Sequence, residues 1–505
     1  MKNDHWLIYA LAGCKLLIHF FTNTNYGLHR DEYLYFDMGF HLGWGYLEVP
    51  PMIAILSKMA YLLGGSVFAI RLFPALIGAI TVVLIGHLVK SLGGKTGAVL
   101  IAGAAFILSP AYLGSNTLFQ PVSFNQFCWF LGAYLVVKIV QTQETRYWYY
   151  LGIAAGLAFL TKYSIVFYMA ALILALLISQ HRKVFLTKYP YIAALIALVI
   201  ALPNLIWQYQ LGFPVINHME ELARTQLVNV RWLDFFKAQF LMQSSVNLIW
   251  IAGALYLFLD KKYRDYRFIT YALAITVGLI ISLSGKDYYT LGAYPMLFVF
   301  GGLAWNQWLK PVWAKAVLII VLFLINFPLY PYVLPVLKVD KMETYCAMMK
   351  DRYGLDAPLV WEDGKMYTIP QDYADMHGWD EMARKVIDLY LSLPEEDQKA
   401  CMLYGGSYGH AGAINYFGRE LGLPEAFSFN SSYKLWLRED YSFSKQIQVE
   451  DNKQGPSQYF ETMILVDSTE NRLARDPGYI YFKEAPKIDV EAAWKGLVKE
   501  IKAGI

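Results

Sequence analysis

The sequence predicts a polytopic α-helical membrane protein that carries a soluble, mixed α/β domain at its C-terminal end. Apolar residues make up 57% of the 505 residues and charged residues only 16%, where a soluble globular chain has about a quarter charged residues. Eleven apolar stretches approach the length of about 20 residues that a membrane span requires: 6–22, 66–89, 97–114, 122–140, 148–161, 163–180, 190–207, 240–259, 268–284, 290–307 and 312–334. Charge then divides the chain. Residues 1–334 hold 23 Lys/Arg against 12 Asp/Glu, whereas residues 335–505 hold 20 against 28. A basic transmembrane part, 1–334, is thus followed by an acidic soluble part, 335–505. The basic residues are scattered between apolar spans, which argues against a nucleic-acid partner and leaves membrane lipids as the surroundings.

Taken in order, the first stretch has no convincing cleavage site behind its apolar run and reads as an anchor rather than a removable signal. The loop His29–Pro51 follows, and it gathers Asp31, Glu32, Asp37 and Glu48 within eighteen residues. Asp31 to Leu42 has helical content, with Gly43 and Gly45 as stop signals. Asp31 and Tyr35 then share one helix face. Pro51 suits the first turn of a second helix, Met52 to Leu63. Its Ile53, Leu56, Met59, Ala60 and Leu63 recur at helical spacing, as in a helix lying in a membrane interface.

Beyond residue 66 the short connections alternate between two sides. Lys90, Lys95, Arg146, Arg182, Lys183, Lys188, Lys261, Lys262, Arg264, Arg267 and Lys310 fall on one of them, the cytoplasmic side by the positive-inside rule. The other side receives the 29–51 loop, the 208–239 loop and, with eleven spans, the tail. In that tail Glu381–Leu393 has an amphipathic helical pattern stopped by Pro394. Residues 400–404 and 461–466 read as buried strands, and Gly409–Gly418 as a helix entered through a glycine-rich turn. Cys14 and Cys128 lie in apolar spans. Cys346 and Cys401 can pair only if the tail lies outside the cytoplasm.

An acidic pair followed by aromatics, then Gly-Tyr, a further acidic residue and Pro-Pro, as in HRDEYLYFDMGFHLGWGYLEVPP, resembles the first external loop of bacterial PMT-type glycosyltransferases. These are GT-C enzymes related to the protein O-mannosyltransferases and to the aminoarabinose transferase of lipid A. The resemblance implies a multi-pass protein of the bacterial cytoplasmic (inner) membrane, with its active site and tail on the periplasmic side. It also implies a polyprenyl-phosphate-linked sugar donor and a lipid, glycan or protein Ser/Thr acceptor.

The resemblance further assigns roles by position. Asp31 takes the place of the general base that receives the acceptor's proton; read alone, it is equally a helix N-terminal charge favoured by the helix dipole. Glu48, before Pro50, orients the acceptor or binds a cation. Glu32 and Asp37 are either further site residues or solvated charges. A departing lipid phosphate calls for cations, and Lys162 with its following Tyr, Lys286 with Tyr288 and Tyr289, and Arg224 and Arg231 are the candidates. Each is also compatible with a snorkelling anchor at a span end. Trp207 stands either at a later external loop or in an aromatic belt. His218 beside Glu220 and Glu221 is a weak metal motif.

Two departures separate the chain from this pattern. Leu34 and Val49 occupy slots that are basic in the aminoarabinose transferases, and Val122 replaces the aspartate of a Thr-Pro-Asp motif in TLFQPVSFNQF. No cofactor is firmly implied; a divalent cation on Asp31 and Glu48 is the alternative means of neutralising the phosphate. Rival readings are a transporter or flippase of lipid-linked sugars, for which midplane ionisable residues and inverted repeats are expected, and a catalytically inactive scaffold. The segment GGSYGHAGAINYFG, 405–418, fits no phosphate-binding spacing.

Overall fold

The computed structural model describes residues 5–225, 227 and 231–505. The apolar part runs through α1 (His5–Thr22), α2 (Arg30–Met38), α3 (Met52–Leu62), α4 (Val67–Ser91), α5 (Thr96–Leu108), α6 (Pro110–Ser115), α7 (Pro121–Thr142), α8 (Arg146–Phe159) and α9 (Ile165–Ile178). It continues with α10 (Tyr189–Gln210), α11 (Pro214–Thr225), α12 (Trp232–Gln243), α13 (Asn247–Leu259), α14 (Phe268–Ser282), α15 (Pro295–Trp308), α16 (Val312–Asn326) and α17 (Tyr330–Val333).

All eleven apolar stretches are helical, but among the described residues only six helical segments are long and apolar enough to cross a bilayer. These are His5–Thr22, Val67–Ser91, Pro121–Thr142, Tyr189–Gln210, Trp232–Leu259 and Val312–Val333. The others fall on shorter helices. Proline accounts for two of these interruptions: Pro110 and Pro295 lack the N–H needed to continue a helix and instead begin α6 and α15.

The alternation of connections is visible in their contacts. At one end of the bundle Gln141 Nε2 donates to the Ser91 carbonyl at 2.6 Å and Tyr263 Oη to the Leu92 carbonyl at 3.2 Å. His181 Nε2 lies 2.8 Å from the Asp265 carbonyl there, among the basic connections. At the other end the Met52 N–H donates to the Leu160 carbonyl at 2.9 Å. Asn204 Nδ2 donates to the Trp44 carbonyl at 2.6 Å and Asn25 Nδ2 to the Pro335 carbonyl at 2.7 Å. The first loop, the ends of α8 and α10 and the start of the tail therefore share one end.

In the first loop, His29 caps α2. Its Nδ1 accepts the Asp31 N–H at 3.1 Å, and the Glu32 carboxylate accepts the His29 N–H at 2.8 Å, a reciprocal capping box. The helix stops at Met38, short of the expected Leu42. There Ser57 Oγ of α3 donates to the Phe36 carbonyl at 2.6 Å and takes up an acceptor that a longer helix would have used itself. Of the residues expected to share one face of α3, Ile53 and Ala60 are buried against the protein, whereas Met59 and the capping Leu63 are exposed beside Leu62.

Glu32 and Asp37 are not solvated. Glu32 is fully buried; it receives Arg71 Nη2 at 2.7 Å, Arg71 Nε at 3.0 Å and the Phe119 N–H at 2.8 Å. Arg71, also fully buried, donates onward to the Asn23 and Gly27 carbonyls, each at 2.6 Å. Asp37 is fully buried as well and accepts from Asn415 Nδ2 at 2.6 Å, Arg419 Nη2 at 2.8 Å and Tyr433 Oη at 2.5 Å. Burial pushes the Asp37 carboxyl up from its usual range, and Arg419 and the hydrogen bonds oppose that rise.

The tail contains α18 (Val339–Tyr353), α19 (Gln371–Ala374), α20 (Trp379–Ser392), α21 (Glu395–Lys399), α22 (Tyr408–Gly418), α23 (Tyr433–Trp436) and α24 (Val490–Ala503). Its sheet has the order β1 (Cys401–Gly405), β2 (Lys445–Glu450), β4 (Tyr479–Pro486), β3 (Phe460–Asp467), with β1 and β2 parallel and the remaining pairs antiparallel. The expected strands 400–404 and 461–466 are β1 and β3; β1 is buried as expected, but β3 lies at the edge of the sheet and its Ile464, Leu465 and Val466 are exposed. In β2 only Ile447 and Val449 supply the buried apolar alternation, too short a pattern to stand out in the sequence. Cys346 and Cys401 are both free and buried, and they sit in different cores. One of these cores joins Tyr33, Leu34, Phe36, Val49 and Ile53 of the first loop to Trp379, Val386, Leu403, Ala411 and Ile447 of the tail. Leu34 and Val49 therefore face apolar packing instead of supplying charge.

Removing one member of a buried ion pair strands the other and costs about 3–5 kcal/mol. Glu32→Ala and Arg71→Met should each lower the thermal unfolding transition of the detergent-purified protein by a corresponding amount. An unaltered transition in either variant would show that the pair does not hold the first loop.

Candidate active site

Asp31 stands on the first turn of α2, on the face opposite its buried neighbour Glu32. Its carboxylate is half-buried. Oδ1 accepts Tyr408 Oη at 2.7 Å and Oδ2 accepts Gln120 Nε2 at 3.2 Å. One turn along the same face, Tyr35 is half-buried. Burial first, and the charge of Asp31 second, push its phenol well above the usual range, so it remains a donor; Tyr408, Glu48 and Tyr289 act on it as well. Glu48 lies across from this face, where its carboxylate accepts Ser432 Oγ, and the same hydroxyl accepts the Leu47 N–H at 3.0 Å.

The cations arrive from two connections. Lys162 lies between α8 and α9, with Nζ 4.9 Å from the centre of the Tyr289 ring and 6.0 Å from that of Tyr288. It makes no ion pair among the described residues. Burial, and then the neighbouring Lys286, lower its amine to about 8. Lys286 differs: its Nζ is paired with Glu362 of the tail at 3.1 Å. Tyr288 and Tyr289 pack edge to face, 4.9 Å between centres. Asp31, Glu48, the phenols of Tyr35, Tyr408, Tyr288 and Tyr289, and a lysine with no ion pair among the described residues thus lie at one end of the bundle.

The other expected residues divide. Trp207 packs against the Gly-Trp-Gly-Tyr turn, where a Cβ on Gly45 would fall 2.4 Å from Trp207 Cε3. Tyr163 Oη, donating to Asn204 Oδ1 at 3.1 Å, braces the same turn. Pro50 is buried and leads into α3. Arg231 is exposed and sits 3.5 Å from Asp234; it is not brought to the cluster. Asp31 and Glu48 are each committed to hydroxyl donors. Among the described residues no group of three or more His, Cys, Asp or Glu side chains is arranged to hold a metal, so the donor set does not by itself make a cation cage.

Sequence reasoning missed Tyr408, Gln120, Ser432 and Glu362. Gln120 lay in view immediately before the Pro121 that starts α7. The other three come from the tail, at sequence distances that periodicity cannot bridge.

Residues 48–207 match the profile of the dolichyl-phosphate-mannose-protein mannosyltransferase family. Lipid A galacturonosyltransferase RgtD of Rhizobium johnstonii is 29% identical over 259 residues, which is 50% of this chain and 54% of the relative. The match thus spans about half the length of that curated relative. In structure the chain is similar to ArnT from Cupriavidus metallidurans bound to undecaprenyl phosphate, with a TM-score of 0.62 at 14% identity over 95% of this chain and 98% of the other. The apo state of that ArnT gives a TM-score of 0.59 at 14% identity, over 94% and 97% of the two chains. The chain is thus similar in sequence to the mannosyltransferase family over residues 48–207 and shares the fold of ArnT over nearly its whole length.

Proposed function

We propose that the protein transfers a sugar from a polyprenyl-phosphate carrier, with inversion, to an acceptor hydroxyl at the periplasmic face of the membrane. The observation that carries this reading is the chain of side chains linking base to cation. Asp31 and Tyr289 both act on the Tyr35 phenol, and the Tyr289 ring lies 4.9 Å from Lys162 Nζ, which makes no ion pair among the described residues. As the acceptor oxygen attacks the anomeric carbon, its proton passes to Asp31, and the bond to the carrier oxygen breaks with its electron pair leaving on the phosphate. Lys162 meets the charge that develops there, which favours the transition state over the ground state. Glu48 orients the acceptor. The solved relative bound to undecaprenyl phosphate supports a polyprenyl donor, and the name of the galacturonosyltransferase supports a lipid acceptor.

The orientation rests on charge. The basic connections gather at the end opposite Asp31, and by the positive-inside rule that end is cytoplasmic. The first loop and the tail, residues 335–505, then face the periplasm. The gathering of site residues at one end of the bundle favours an enzyme over a transporter, whose polar groups belong near the midplane.

Turnover can be followed as release of undecaprenyl phosphate from a panel of undecaprenyl-phosphate-linked hexoses and pentoses, with lipid A as acceptor. Asp31→Asn keeps shape and polarity but cannot take a proton, so it should abolish turnover without lowering the unfolding transition. Full activity in that variant removes Asp31 from the chemistry.

Lys162→Ala should slow turnover by about 10²–10³-fold. The wild-type lysine is charged below about pH 8 and loses its proton as the pH rises through that value, so binding of undecaprenyl phosphate should weaken above it. Affinity that stays level from neutral pH to well above that value would put the phosphate elsewhere.

Impermeant thiol reagents applied to intact spheroplasts should label a cysteine placed at Gly43 and spare one placed at Lys262. Labelling in the reverse pattern inverts the topology.

A further inference from the structure

The glycine-rich segment 405–418 of the tail meets no phosphate, yet it lies against the proposed base. Tyr408 is the first residue of α22, whose N-terminus is capped by Ser407 Oγ accepting the His410 N–H at 3.4 Å. Its hydroxyl crosses from the tail to donate to Asp31 Oδ1 at 2.7 Å, between residues 377 positions apart. The phenol ring is gripped from the other side, where the Arg30 guanidinium stands 4.7 Å from its centre and 3.9 Å from Asp476. Close packing sets the reach. At Gly412 a Cβ would fall 2.7 Å from Tyr33 Cβ, so only a glycine there lets α22 lie directly on α2.

We infer that Tyr408 is a positioning residue of the transfer reaction, through which the tail completes the active site. This rests on the reading of Asp31 as the base. With Oδ1 fixed by the short phenolic bond, the carboxylate is held in one rotamer. Oδ2, bonded among the described residues to the amide of Gln120 at 3.2 Å, is presented to the acceptor hydroxyl. The phenol also stabilises the ionised carboxylate, the form a base needs. It stays a donor throughout, because burial, and then the charge of Asp31, keep its own proton bound. The glycines of the segment therefore serve a distance: they set how near a helix of the tail comes to a helix of the first loop.

The test is Tyr408→Phe in the full-length, detergent-purified protein, assayed as undecaprenyl phosphate release with the panel described above. A lost hydrogen bond to a charged group corresponds to roughly a ten- to hundredfold fall in kcat, with KM for the donor nearly unchanged. Tyr408→His, which keeps an N–H, should restore part of the rate. Wild-type kcat in Tyr408→Phe would overturn the inference.

Asp31→Asn, run in parallel, separates the two readings. An active Asp31→Asn removes the base, whereas an inactive Asp31→Asn beside a fully normal Tyr408→Phe removes only the role of Tyr408. If Tyr408→Phe loses its unfolding transition and its binding of undecaprenyl phosphate, Gly412→Ala becomes the deciding variant. It keeps the phenol but pushes α22 away from Tyr33, and it must give the same fall in kcat with KM for the donor nearly unchanged. A normal kcat in Gly412→Ala would equally overturn the inference.

Discussion

The buried pair of Glu32 and Arg71 is the constraint on which the site depends. It joins the first turn of α2 to α4, the adjacent loop carbonyls and the start of the segment leading into α7, all without access to water. Such a pair contributes little net stability compared with apolar packing, but it tolerates no partial version of itself. Its effect is orientational. Successive residues on a helix point about 100° apart, so once Glu32 is fastened inward, Asp31 is turned outward to the space shared with Tyr35 and Glu48. Two neighbouring carboxylates of the same motif thus have opposite fates, and the structural one aims the other.

Charge is handled differently on the two lysines. Lys286 is already answered by Glu362 of the tail, and with that partner nearby it has less to gain from an incoming phosphate. Lys162, with no carboxylate partner among the described residues and packed against two phenols, bears the cost of burial. A buried cation of this kind is tolerated where an anion relieves it. The basic slots lost at Leu34 and Val49 are consistent with this arrangement, because those positions are taken up by the apolar contact between first loop and tail.

Much of this was legible in the sequence, and the part that was not has a physical reason. The helix that begins at Asp31, the shared face of Asp31 and Tyr35, the second helix after Pro51 and the separation of the basic connections from the first loop are all local patterns, readable from periodicity and charge. The burial of Glu32 and Asp37 was not, because their partners lie 39 residues away in one case and 378 to 396 in the other. A carboxylate in an exposed-looking motif carries no mark of a distant arginine. Arg231 erred the opposite way: it belongs to the right side of the chain, but its helix holds it against Asp234. Tyr408 sat inside a segment whose glycines were conspicuous, yet glycines report only that something comes close, not what.

The sharing of one hydrophobic core by the first loop and the tail has a consequence for how the molecule is made. Asp37 waits for Asn415 and Tyr433, which are synthesised 378 and 396 residues later. At the usual pace of about 5–20 residues per second, that delay lasts on the order of tens of seconds. During that interval α2 has its capping box but lacks the apolar and polar groups that will enclose it. A nascent chain cut short before α22 lacks Tyr408 as well, so Asp31 is left with Gln120 as its donor among those described, and Asp37 with none of its three. The last-made third of the chain thus closes the first-made loop.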